Sequence, residues 1–354
     1  MKNKLAMIGC GGIGSYHLSH FVQFEDIELV GFCDLIPERA EDFVERAGSG
    51  QAFTDYVEMY DTVKPDMVFI CVPPSEHGDI EFEAIARGIH FFVEKPLALD
   101  LELARKIRDA AAEAGLITAS GFQVRYSNLV EPNIRFNEEN EIIFIDCLRM
   151  GGIPGTPWWT DKSLSGGQIV EQTIHQFDII RYVFGEPVEV FTMATRGFVK
   201  DVENYDTDDL TTTLVRFENG ALATLSTGCY ATGGDAADNK LVFGSRSARA
   251  ELRILNDLKL FGVNGEDAAA EEDAAGGLVV GDDGGMYANE GGEVVYKESG
   301  DAGVLCDRTF IDAVMTGDAS KIRSPYADAL RSLEFTLACN ESIETGLPVK
   351  IENR

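Results

Sequence analysis

Three clusters of residues in this chain have the types and spacing to do chemistry. The first is Gly9-Cys10-Gly11-Gly12-Ile13-Gly14, a Gly-x-Gly-x-x-Gly run, with Asp34 twenty residues after its last glycine. A dinucleotide pyrophosphate needs this pattern. Gly9 permits the tight turn, Gly11 lets the backbone approach the phosphates, and Gly14 allows a helix to pack closely on a strand. The amides of Gly12 and Ile13 then open a helix whose N-terminus carries a partial positive charge. Asp34 is placed to accept hydrogen bonds from ribose hydroxyls and to repel a 2′-phosphate, which favours NAD over NADP. Arg39, close in sequence, keeps NADP open. Asp34 also suits the cap of a helix that begins at Pro37.

The second cluster is Glu94-Lys95-Pro96. The proline restricts Lys95 to an extended backbone, and a lysine so held can bind a hydroxyl and steady a developing alkoxide. The bland alternative is a surface lysine. The third is Gly166-Gly167-Gln168-Ile169-Val170-Glu171-Gln172-Thr173-Ile174-His175-Gln176-Phe177-Asp178. On one helix Glu171, His175 and Asp178 share a face, and a histidine beside a carboxylate suits a general base near neutral pH. A structural histidine is the competing reading. A metal is not expected, since only three ligands converge and hydride chemistry does not need one. Val72-Pro73-Pro74-Ser75-Glu76-His77 follows another strand-like run, and Pro73 and His77 are candidates to line the cofactor.

The elements that must carry these residues are legible from periodicity. Apolar runs at Leu5–Gly9, Ile27–Cys33, Met67–Val72, His90–Val93 and Leu116–Ser120 alternate with helical patterns at Ile13–Val22, Pro37–Ala47, Tyr56–Val63, Asp79–Ala86 and Leu101–Ala114. Strands apolar on both faces with helices between them imply a doubly wound parallel sheet. Beyond about residue 122 the pattern changes. A strand over 142–150 and one helix over 167–184 precede alternating segments at 188–195, 211–217, 221–227, 240–243, 248–254 and 258–261. These read as a mostly antiparallel sheet with one buried face. Helices close the chain at 304–315 and 326–345, and the acidic, Gly-rich stretch 264–301 reads as a surface loop or edge hairpin. The expected class is α/β, with a Rossmann domain over 1–122 and an α+β domain over 123–354 for substrate binding and oligomerisation. The last helix is expected to pack back on the first domain.

Composition narrows the partners. Sixty acidic residues against 30 basic give a net charge of −30, a surface that repels nucleic acid and anionic lipid. The apolar runs are shorter than a membrane span needs. The first residues break into glycines too soon for a signal peptide, so a cytoplasmic protein is expected. The seven cysteines are scattered without a Cys-x-x-Cys pair, which argues against a disulfide framework or zinc site.

Taken in order, the glycine run with Asp34, Glu94-Lys95-Pro96, Gly121-Phe122-Gln123-Val124-Arg125-Tyr126, the Glu171–His175–Asp178 helix and the C-terminal stretch 328–349 resemble the Gfo/Idh/MocA oxidoreductases over essentially the whole chain. The resemblance implies that Lys95 is the active-site lysine and His175 the acid/base. It implies that Glu94 and Gln123 lie with the cofactor, and Arg125 and Trp158 with the substrate. Where sugar and cyclitol dehydrogenases commonly carry Asp four residues before the histidine, this chain has Glu171, and Thr173 replaces a common glycine. The implied activity is NAD-dependent oxidation of a sugar, polyol or cyclitol, in a homodimer or homotetramer. Relatives that use NAD transiently, and non-catalytic NAD-binding regulators, are the alternatives.

Overall fold

The computed structural model describes residues 2–263, 278–280, 286–288 and 293–352. Six strands, β1 (Asn3–Ile8), β2 (Ile27–Cys33), β3 (Gln51–Phe53), β4 (Met67–Ile70), β5 (His90–Val93) and β6 (Thr118–Ser120), form a parallel sheet in the order β3-β2-β1-β4-β5-β6. Helices α1 (Gly12–Phe21), α2 (Pro37–Ala47), α3 (Tyr56–Val63), α4 (Asp79–Ala86) and α5 (Leu101–Glu113) connect them. Local chemistry sets their ends. Pro37 opens α2 and Gly48 closes it in the left-handed region. Asp55 and Asp100 cap α3 and α5 with their carboxylates. The strand order reverses between β1 and β4, which opens a crevice at their carboxyl ends where ligands of such sheets bind.

After α6 (Val130–Glu139), the second half builds on β7 (Phe144–Gly151), short helices α7 (Lys162–Ser165) and α8 (Gln168–Glu171), and α9 (Ile174–Phe184). Then follow β8 (Pro187–Thr195), β9 (Leu210–Phe217), β10 (Leu222–Cys229), β11 (Asp238–Gly244), β12 (Arg249–Arg253) and β13 (Asp257–Phe261). β14 (Leu278–Val280) pairs with β15 (Met286–Ala288), and β16 (Glu293–Lys297) joins the edge of the large sheet. The rest of the acidic stretch up to residue 292 lies outside the described residues. The chain ends with α10 (Ala302–Thr316), α11 (Tyr326–Thr345) and β17 (Val349–Lys350). The nine-stranded sheet runs β16-β13-β12-β11-β7-β10-β9-β8-β17, antiparallel except for the β7–β10 pair. On β9, Thr211, Thr213, Val215 and Phe217 face inward while the residues between them are exposed. No helix among the described residues is long and apolar enough to cross a membrane. All seven cysteines are free and buried.

Both C-terminal helices return to the first sheet. Leu5, Met7, Phe69 and Phe92 pack on one side with Phe310 and Ile311 of α10. Ala6, Ile8, Val68 and Phe91 pack on the other with Tyr326, Leu330 and Leu333 of α11. Each such buried side chain contributes about 1.5–3 kcal/mol, so the end of the sequence stabilises its beginning.

Two sequence expectations are corrected here. The single helix over 167–184 is broken at Gln172–Thr173: the Thr173 amide donates to the Gln168 carbonyl at 2.8 Å, and its hydroxyl is held by Gln168 and by Thr227 of β10. Arg125 is not a substrate contact. It is fully buried, donates from Nε and Nη2 to Asp178 at 2.8 and 2.5 Å, and from Nη1 to the Arg323 carbonyl and Asp328. Its guanidinium lies 4.6 Å from the Tyr182 ring centroid. Asp178 is thereby drawn away from His175, into a network that ties α9 to α11 through Arg181 and Ser332.

Truncating a buried ion pair strands its partners, so Arg125→Met is expected to cost about 3–5 kcal/mol of stability. Urea unfolding of the variant measures it; a loss below about 1 kcal/mol would show that this network does not hold α9 against α11.

Candidate active site

The glycine loop sits at the crevice between β1 and β4. Gly9 has φ +89° and donates to the Cys33 carbonyl at 2.9 Å, and a Cβ there would strike the Cys71 carbonyl. A Cβ on Gly14 would strike the Gly9 carbonyl, whereas Gly11 and Gly12 face open space. No side chain caps α1, so its first amides and the clearance over Gly11 and Gly12 fit a pyrophosphate. Ile13 is exposed beside them. Asp34, just past β2, accepts the Cys10 amide at 2.8 Å through Oδ2 and the Ile36 amide at 2.9 Å through Oδ1, so it shapes the loop. Arg39 reaches it only at 4.0 Å. Pro73 precedes a short turn over Pro74–Glu76 at the end of β4. Gln123 accepts the Tyr16 hydroxyl at 2.9 Å and so stands beside α1.

Two expected cofactor contacts have other employment. The His77 ring is buried, with Nδ1 2.6 Å from Glu81, whose other oxygen accepts the Gly78 amide. Glu94 is also buried. Its Oε1 lies 3.0 Å from His17 Nε2, while His17 Nδ1 and His20 Nδ1 both reach Asp307 Oδ2, at 2.9 and 2.7 Å. Burial works against a charge on His17, but the Asp307 and Glu94 carboxylates outweigh it and push its pKa from 6.5 up to about 10. The ring nitrogens of His17 and His20 and the Asp307 oxygen lie within 4.8 Å of one another, a spacing that admits a metal, but hydrogen bonding accounts for every short contact between them.

Lys95 points the other way. Its Nζ donates to Glu171 Oε1 and to the Glu171 carbonyl, both at 2.8 Å. The second Glu171 oxygen accepts Trp159 Nε1 at 2.6 Å. Glu171 therefore holds Lys95 rather than His175, and Trp159 rather than Trp158 belongs to this cluster; Trp158 is half-buried and makes no ring contact or side-chain hydrogen bond with the described residues. His175 opens α9 just after the break, its ring edge-on to Phe122. Its Nδ1 is buried without a hydrogen-bond partner. Burial, then the charges of Lys95 and Arg149, hold its pKa down to about 3, so the imidazole is neutral. The arrangement thus offers an ammonium donor with a fixed counter-ion and a neutral imidazole at the carboxyl end of β5, in the sheet whose β1 leads into the dinucleotide loop.

Arg149 of β7 was missed in the sequence. Its Nη1 donates to the Gly228 carbonyl at 2.7 Å and lies 2.9 Å from Cys229 Sγ. The signal was present: Ile145, Cys147 and Arg149 alternate on the inward face of one strand, so the arginine had to turn inward where the core gives way to the site.

Residues 3–122 match the family model of oxidoreductases with an NAD-binding Rossmann fold, and residues 141–248 match the GFO/IDH/MocA C-terminal domain. The chain is 30% identical over 245 residues to D-glucoside 3-dehydrogenase of Escherichia coli, spanning 63% of this chain and 69% of that one. It is 28% identical over 247 residues to myo-inositol 2-dehydrogenase of Thermotoga maritima, spanning 69% of this chain and 73% of the other. A solved levoglucosan dehydrogenase, in complex with NADH and levoglucosan, matches all of both chains (100% each) with TM-score 0.82 at 18% identity, a likeness of fold.

The His17 network predicts a pH dependence. Because its folded pKa is raised, its contribution is fully present below about 6.5 and lost as pH rises through about 10. Unfolding free energy is expected to drop by a few kcal/mol across that window, and His17→Gln is expected to flatten the drop. Urea midpoints at stepped pH measure both; an equal drop in the variant would exclude His17 as its source.

Proposed function

The chain belongs to the Gfo/Idh/MocA family of oxidoreductases, and from that membership we propose that it moves a hydride between a hydroxyl-bearing carbon of a sugar, polyol or cyclitol and NAD. The observation that carries this reading is the Lys95–Glu171 pair with the neutral His175 close enough to feel the lysine's charge, in the fold that holds the glycine loop. The names of its relatives, a glucoside dehydrogenase and an inositol dehydrogenase, support a polyhydroxylated substrate.

In this reading His175 takes the hydroxyl proton, which a neutral imidazole can do. Lys95 donates a hydrogen bond to the same oxygen and steadies its negative charge. Glu171 is a positioning residue that keeps the ammonium aimed, and Trp159 keeps Glu171 in place. Gly9, Gly11, Gly12, Ile13 and Gly14 would hold the pyrophosphate, Asp34 the adenosine ribose, and Pro73 and Gln123 the walls of the groove. NAD, when bound there, supplies the hydride acceptor or donor. Residues 1–122 serve as the cofactor unit and 123–354 as the substrate unit. The outer face of the nine-stranded sheet leaves Phe144, Met193, Leu214 and Leu222 exposed, which supports a homodimer or homotetramer built on that face.

Purified protein with NAD and a panel of sugars, polyols and cyclitols, read at the absorbance of NADH, tests the reaction. Lys95→Met is expected to lower turnover by about 10²–10⁴-fold with NAD binding retained. NAD binding without NADH from any compound would sink net dehydrogenation in favour of oxidation followed by re-reduction. Asp34→Ala is expected to shift preference toward NADP by about 10–100-fold, the worth of a charge-assisted hydrogen bond. An unchanged ratio of NADP to NAD kcat/KM would remove Asp34 from cofactor choice.

A further inference from the structure

The site holds one charge that the reaction described above does not use. Lys95 and Glu171 cancel as an ion pair. His175 is neutral. Arg149 stands opposite with no carboxylate partner among the described residues. Its Nη1 is satisfied by the Gly228 carbonyl and Cys229, which leaves Nε and Nη2 without an acceptor among the described residues. The side chain is half-buried on the inward face of β7, and these two donors, absent from the fully buried atoms that lack a partner, border open space.

Its neighbours tie it to the reacting centre. In register, Arg149 lies beside Thr227 of β10 and Asn239 of β11. Thr227 is hydrogen-bonded to Gln168 and Thr173, which bracket Glu171. Asn239 accepts from Gln176, the residue after His175. The guanidinium also has a place made for it: a Cβ on Gly151 would fall 2.6 Å from Arg149 Cζ and 2.7 Å from Nη2. An alanine there would drive the group out of position.

A partly desolvated guanidinium without a counter-ion is costly in a chain that carries twice as many acids as bases. No carboxylate among the described residues pairs with it, whereas Asp178 and Asp328 pair with Arg125. The free edge, a planar fork of N–H donors, matches an oxyanion in two-point contact.

We infer that the substrate carries an oxyanion, a carboxylate or a phosphate, which binds the free edge of Arg149 while Lys95 and His175 engage a hydroxyl of the same molecule. This rests on the dehydrogenase reading and narrows it from polyols in general to acidic sugars or polyols. The oxyanion takes no part in bond making. The alcohol gives its hydride to NAD and its proton to His175, and the charge on Arg149 fixes which hydroxyl faces them.

The test compares neutral and anionic probes with the same purified protein and NAD: D-glucose and D-glucitol against D-glucuronate, D-gluconate and D-glucose 6-phosphate. An oxyanion-bearing compound is expected to exceed its neutral counterpart in kcat/KM by about 30-fold or more, the usual worth of a desolvated charge pair. The carboxylate and phosphate arms identify which anion the site takes. Arg149→Met is expected to erase that advantage chiefly through KM, Arg149→Lys to restore part of it, and Gly151→Ala to mimic the loss with the arginine still present. A general structural defect would depress neutral and anionic compounds alike, and that result would overturn the inference. NADH from the neutral compounds at equal or better efficiency would overturn it too, while leaving the dehydrogenase reading intact. If none of the five is turned over, calorimetry on the NAD-loaded protein decides. Binding of glucuronate, gluconate or glucose 6-phosphate that weakens with salt and is lost in Arg149→Met supports the subsite, and no binding of any of them rejects it.

Discussion

The site depends on two consecutive side chains that leave the end of β5 in opposite directions. In extended backbone neighbouring residues alternate sides, and Glu94 and Lys95 use that alternation to join a buried network to an open one. Glu94 goes inward to His17 and also accepts the Lys95 amide at 3.2 Å, so the carboxylate fixes the backbone from which the lysine springs. A Cβ on Gly121 would collide with that carboxylate, so the strand beside it yields the space. Through His17 and Asp307 the same contact reaches α1, which opens the dinucleotide loop, and α10, which returns from the far end of the chain. Cofactor helix, lysine and C-terminal helix are therefore one ionic unit. Buried networks of this kind add little net stability relative to apolar packing; here the network fixes the position of Lys95.

The two arginines that face inward show how the fold separates structure from function. Arg125 is saturated by two aspartates and a carbonyl and stacked on Tyr182. Its charge is fully spent in holding α9 against α11. Arg149 is anchored at one nitrogen by a carbonyl and a thiol, neither of which neutralises it. Residue type alone does not distinguish them, and sequence analysis placed Arg125, not Arg149, with the substrate. The difference lies in which carboxylates the tertiary structure brings near, and Asp178 and Asp328 come from helices distant in sequence.

That contrast marks how far the sequence was legible. The doubly wound half was readable because its signals are local: glycines at fixed offsets, Asp34 after a strand, apolar runs between amphipathic helices. The helix carrying Glu171 and His175 was misread as continuous because its break depends on Thr227, 54 residues from Thr173. Once it breaks, Glu171 turns to Lys95 and Trp159, and the expected Glu171–His175 contact disappears. Helix α6 escaped notice because Pro132 stands in its first turn, where a missing amide costs nothing but periodicity is hard to see. His17 and Asp307, 290 residues apart, left no local trace at all.

His175 poses the sharpest constraint on the chemistry. Burial and two facing cations hold its pKa to about 3, which keeps the base unprotonated at any working pH but also makes it weak. General bases act best when their pKa lies near that of the medium, so a stronger imidazole is wanted when the substrate is in place and not before. Lys95 cannot supply the change, because Glu171 already pairs with it and it must keep donating. Burial depresses His175 most, Lys95 next and Arg149 least, so in the proposed reading an oxyanion seated on the free edge of Arg149 would remove only the smallest of the three. No carboxylate among the described residues reaches that edge, so in the proposed reading the counter-charge comes with the substrate. Arg149 would therefore serve the proposed acidic substrate chiefly as an anchor, while burial continues to set the basicity of His175.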